Sequence, residues 1–173
     1  MIRRLLALSL CAVLGACAAT SGGPPPPPAP PSGPAPTFRP GDFSWSTQPG
    51  SASIRGAVSY GHGFSCVGQP VVLVPEAPYS RWRIIQLYGS ADRAALPVAE
   101  VRSRQANRPS DDYSSYSKHS TCDAQGHFSF QGLPAGGWFV IAIALPGGGP
   151  GQAMALMSRV ETRPGVARAV TLD

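Results

Sequence analysis

Apolar residues in this chain fall in short alternating runs, broken at close spacing by Gly and Pro. Ser53-Ile54-Arg55-Gly56-Ala57-Val58-Ser59-Tyr60 puts Ile54, Gly56, Val58 and Tyr60 on one face, the period of a half-buried strand. Val71-Val72-Leu73-Val74 is a second run, stopped by Pro75. His127-Phe128-Ser129-Phe130 alternates after the turn Asp123-Ala124-Gln125-Gly126, and Trp138 to Ala144 is a longer apolar run after Gly136-Gly137. Ala153 to Val160 and Val166 to Leu172 complete the set, and no long segment keeps helical periodicity. The pattern predicts an all-β sandwich of about seven strands over residues 51 to 173.

Two stretches depart from it. Ser80 to Gly89 reads as a short helix capped by Ser80 and ended by Gly89, with a strand as the alternative. Residues 90 to 118, rich in Arg, Ser, Asp and Asn, predict a long excursion carrying at most one strand.

The opening residues have another logic. Arg3 and Arg4 precede an apolar run from Leu5 to Leu14, about half of the roughly 20 residues that span a bilayer, so it fits an export signal and not a permanent span. Leu14-Gly15-Ala16-Cys17 follows and resembles the lipobox of bacterial lipoproteins. The resemblance implies a signal peptide over residues 1 to 16, an acylated Cys17 as the new first residue, and the lipid bilayer as a partner. Ala18 and Ala19 after the cysteine imply the outer membrane, facing the periplasm. An ordinary secretory signal, with Cys17 discarded, is the alternative.

Residues 21 to 36 are all Pro, Gly, Ser or Ala. They offer little apolar surface to bury, and consecutive prolines hold polyproline II geometry, so residues 17 to 50 read as a disordered, semi-rigid Pro-rich linker. The net charge is +5, with Arg3 and Arg4 in the export segment. Arg and acidic residues are interspersed through the remainder, which points to a solvated mixed face; an anionic envelope partner fits it, whereas nucleic acid does not suit an exported chain.

Of four cysteines, Cys11 lies in the export segment and Cys17 is the lipid acceptor, which leaves Cys66 and Cys122. In an oxidising compartment the simplest reading is a disulfide. His62-x-x-x-Cys66 and His119-x-x-Cys122 also supply two imidazoles and two thiols, a set able to hold tetrahedral Zn²⁺.

Gly68-Gln69-Pro70-Val71-Val72-Leu73-Val74-Pro75 and Thr121-Cys122-Asp123-Ala124-Gln125-Gly126-His127-Phe128-Ser129-Phe130-Gln131-Gly132-Leu133-Pro134-Ala135-Gly136-Gly137-Trp138, with Ser53 to Val58, resemble a carboxypeptidase regulatory-like domain of the transthyretin-like, or Ig-like, sandwich type. That resemblance implies the fold, with residues 81 to 120 as an insertion, and says little of function.

Enzyme readings fare poorly. The His-x-x-Glu spacing of zinc carboxypeptidases is absent, as is the Tyr-Arg-Gly-Ser signature of transthyretin-like hydrolases. Ser115-Tyr116-Ser117-Lys118 matches Ser-x-x-Lys without its partner motifs. No catalytic residue, metal ligand or cofactor is therefore assigned. The expected function is a membrane-anchored, non-catalytic envelope lipoprotein that binds or assembles with an envelope protein or glycan. A small hydrolase or Zn-binding protein using His62, His119 or His127, and a passive structural lipoprotein, are the alternatives. Tyr60, His62, Phe64, Tyr79, Trp82, Tyr88, Tyr113 and Tyr116 are candidates to stack on sugars or clamp a peptide, or else to close the core.

Overall fold

The computed structural model describes residues 34–105, 114–147 and 151–173. The expected export segment, Cys17, most of the proline run and Tyr113 lie outside the described residues. In chain order come a 3₁₀ helix (Pro40–Thr47), β1 (Ala52–Val58), β2 (Phe64–Ser65), β3 (Pro70–Pro75), α1 (Pro78–Tyr88), β4 (Arg93–Pro97), α2 (Val98–Ser103), β5 (Lys118–Thr121), β6 (His127–Leu133), β7 (Gly136–Pro146), β8 (Met154–Thr162) and β9 (Ala167–Leu172).

The strands form two sheets. A three-stranded sheet has the order β6-β1-β9, with β6 antiparallel and β9 parallel to β1. The larger sheet runs β4-β8-β7-β3-β5, and β2 pairs with the far end of β7. Ile54, Phe128, Phe130, Leu133 and Leu172 from the small sheet meet Val71, Leu73, Trp138, Val140, Ala142 and Leu156 from the large one, the expected sandwich core. Every strand predicted from alternation is present, and Phe128 and Phe130 both point into this core.

The large sheet is covered on its other face too. Val74, Phe139, Ala155 and Met157 alternate with the core residues along their strands and pack against Phe43, Ala77, Ile84, Tyr88 and Ala91. Burial on both faces over Trp138, Phe139 and Val140, with Ile141 and Ile143 half-buried beyond them, explains the unbroken apolar run of β7. Residues 90 to 118 are thus no simple excursion: β4, α2 and β5 fall within or at the edge of that stretch, and β4 joins the large sheet beside β8.

The helix expected to be capped by Ser80 starts three residues earlier. Ala77 is the extended N-cap and Pro78 the first helical residue, so Ser80 caps from within the first turn. Its hydroxyl accepts the Ala77 N–H at 2.8 Å and donates to the Pro75 carbonyl at 2.6 Å. Gly89 ends the helix in left-handed backbone (φ +74°), its N–H donating to the Ile85 carbonyl at 2.8 Å, as the sequence predicts.

The linker expectation needs a correction at its C-terminal end. Residues 38–47 pack into the fold: Phe43 is fully buried, and Trp45 meets Trp138 edge-on with ring centroids 4.9 Å apart. Phe38, Phe43 and Trp45 supply the apolar surface that the proline run lacks, so folding repays ordering this segment. Gly136 is needed there because a Cβ would run into the Trp45 ring.

Candidate functional site

With α1 and the 3₁₀ helix over the large sheet, the bare sheet face belongs to β6-β1-β9. Alternation sends Ile54 and Gly56 inward and Arg55 and Ala57 outward. Register then sets two outward rows across the strands, Ser129-Arg55-Ala169 and His127-Ala57-Thr171. These residues, with Ser120, Thr121 and Asp123 at the β5–β6 edge, line an open groove of about 560 Å³. Gly56 lets the strand lie against the Phe128 ring, which a Cβ would strike.

The groove combines one cation with many hydroxyls. The Arg55 side chain is exposed and makes no hydrogen bond or ion pair among the described residues. Asp123 is committed to its own turn, accepting from the backbone N–H groups of His127 at 2.8 Å and Gln125 at 2.9 Å. The His127 N–H, aided by that of Gln125, holds the exposed Asp123 carboxyl below the usual range. The His127 ring lies 3.9 Å from that carboxylate.

Directly behind the turn, Cys66 and Cys122 form a disulfide with Cα atoms 5.7 Å apart. That pairing settles the cysteine alternatives, because the thiolates a Zn²⁺ site would need are spent. His62 is exposed in a turn, His119 is exposed on β5 and His127 on β6, and among the described residues no group of three or more His, Cys, Asp or Glu is placed to hold a metal ion.

The aromatic candidates are dispersed. Tyr60 and Phe64 meet edge-to-face at 5.2 Å beside β2, whereas Tyr79 and Trp82 lie on α1 and Tyr116 stacks near Phe43 at 5.2 Å. Tyr88, at the end of α1, is buried against the large sheet, and burial pushes its phenol up to about 12. The others fall in two groups, Tyr60 with Phe64, and Tyr79, Trp82 and Tyr116 joined through Phe38, and neither group lies on the bare sheet face. Sequence reasoning missed Arg55, Ser120, Thr121, Ser129 and Thr171 as groove residues. For Arg55, Ser129 and Thr171 the only signal is that they occupy the polar phase of the same alternation that marks the core, which ordinarily means plain solvent contact; Ser120 and Thr121, consecutive at the end of β5, carry no such signal.

No family model matches the chain, and no curated protein matches it. Among solved structures, a protein of Pseudomonas aeruginosa described as a "putative carbohydrate binding protein" aligns with a TM-score of 0.59 at 18% identity, over 80% of this chain and 98% of its own. That likeness is one of fold. A minor pilin of Streptococcus agalactiae (18% identity, TM-score 0.34) and the pilus backbone protein of Streptococcus pneumoniae (12%, 0.33) align over 73% and 70% of this chain and 43% and 40% of theirs. Among the described residues no helix is long and apolar enough to cross a membrane.

Proposed function

We propose that this chain is a lipid-anchored, non-catalytic module of the cell envelope whose sandwich, of the carboxypeptidase regulatory-like type, binds a glycan in the Arg55 groove. Arg55 carries the reading: a guanidinium with no partner among the described residues stands on an open face amid Ser120, Thr121, Ser129 and Thr171. Sugars present dense hydroxyls and, in envelope polymers, anionic groups, and such a groove offers donors and acceptors for the first and a fixed cation for the second. The fold likeness to a protein described as carbohydrate binding supports the same direction. Acylation at Cys17, in the outer membrane facing the periplasm, would hold the sandwich near such polymers, with the proline run as spacer.

The test is retention of the full chain, solubilised in detergent, on columns of purified envelope polysaccharide. We expect retention, and its loss on Arg55→Gln. No retention, or an Arg55→Gln variant retained like the parent, overturns the glycan reading. Incorporation of radiolabelled palmitate, abolished in Cys17→Ser, tests the anchor separately.

A further inference from the structure

A second groove, of about 390 Å³, opens on the far side of β9. It follows the seam between β9 and β8 and is lined by Arg93, Ser158, Arg159, Glu161 and Arg168 beside the strand itself. Ala169, Val170 and Thr171 line both grooves, so the two meet across a single strand. That strand is a sheet edge, pairing with β1 alone, and the outward side chains at the crossing, Ala169 and Thr171, are small and exposed.

The charges at the two ends differ in their commitments. In the second groove Arg159 is tied to Glu76 at 2.7 Å and Arg93 to Asp173 at 2.6 Å. The Arg168 side chain is exposed and, like that of Arg55 in the first groove, has no hydrogen bond or ion pair among the described residues. Arg55 projects from the outer face and Arg168, one residue out of phase with Ala169, from the seam side of the edge. Two open guanidinium groups therefore flank a low, uncharged crossing. From β6 to β9 alone is two strand spacings, about 10 Å, and the grooves extend past both, so a single sugar ring cannot occupy the whole.

We propose that the two grooves form one track for an extended acidic glycan, which crosses β9 and sets anionic groups on Arg55 and Arg168. This rests on the glycan reading of the Arg55 groove and specifies its ligand as a chain of several acidic units. Calorimetric titration of the full-length protein in detergent with oligogalacturonates of two and of eight residues tests it. The octamer should bind at least about tenfold more tightly than the dimer. Arg168→Gln should cost the octamer about tenfold and leave the dimer unchanged, while Arg55→Gln weakens both. Octamer binding should also fall more steeply with salt. Equal affinity for the two lengths, or no effect of Arg168→Gln on the octamer, overturns the track and leaves the groove reading standing. If neither length binds while envelope polysaccharide is still retained through Arg55, the acidic-chain assignment is wrong and the glycan reading survives; if Arg55→Gln is silent there as well, both fall.

Discussion

The Trp138 indole N–H donates to the Thr162 hydroxyl at 3.1 Å in the sealed interior of the sandwich. Thr162 in turn donates to the Pro134 carbonyl at 2.7 Å, so one hydroxyl ties β7, β8 and the β6–β7 bend together. Both side chains are all but inaccessible, at 0% and 2% exposure, and water cannot replace a lost partner. Thr162→Val keeps the shape and orphans the indole; it should cost about 2 kcal/mol in urea denaturation. In a Trp138→Phe background the same change should cost clearly less, because no indole N–H remains to be stranded. Equal costs in the two backgrounds would refute the pairing.

Glu76 gives the fold an acid-sensitive clasp. Burial pushes its carboxyl up, but hydrogen bonds from Arg159 and Arg81, with their charges, outweigh this and leave it below its ordinary value of 4.5. A carboxyl lowered in the folded state contributes stability that is complete above its unfolded value and is lost as pH falls through the folded one. Glu76→Gln should therefore be less stable at neutral pH and lose less on acidification. Denaturation midpoints measured from about pH 7 down to about pH 2 check this; parallel curves for parent and variant would contradict it.

Reduction should loosen the groove side of the molecule. Cys66 and Cys122 close a loop with a sequence separation of 56. The chain-entropy model gives about 4 kcal/mol for a loop of that size. Paired Cys66→Ser and Cys122→Ser substitution should lower stability by that order, and adding reductant to the parent should reproduce the loss. A variant as stable as the oxidised parent would mean that the bond constrains little.

Phe43→Ala tests where the domain begins. The ring sits fully buried against Phe38 and Tyr116, with centroids 5.3 and 5.2 Å away. Removing it should cost about 3 kcal/mol. A neutral effect would return residues 38–47 to the linker.

How much of this was legible beforehand differs by layer. Strands with one wet face announce themselves by period two, and Ile54, Phe128 and Phe130 were placed correctly for that reason. The disulfide followed from counting, since only Cys66 and Cys122 remained to pair. The roof over the large sheet was harder to see. Its residues, Phe43, Ala77 and Ile84, come from segments far apart in sequence, none with an apolar stripe long enough to declare a partner. The second face of β7 was present in the sequence as an unbroken apolar run, but a run does not say what will cover it. Of the groove, individual residues were visible and their convergence was not: Arg55, Ser129 and Thr171 come together only once β9 lies parallel to β1, a pairing between distant strands that no local pattern encodes.

The roof has a consequence for valence. A two-sheet sandwich open on both outer faces has two broad platforms, one on each side. Here α1 and the 3₁₀ helix occupy one of them, through Ile84 and Phe43, and among the described residues the β6-β1-β9 platform is left uncovered. On the proposed glycan reading, each molecule is therefore one-handed by its sheet faces: it would hold a single chain there, and any crosslinking of a polymer network would have to come from the number of copies standing side by side.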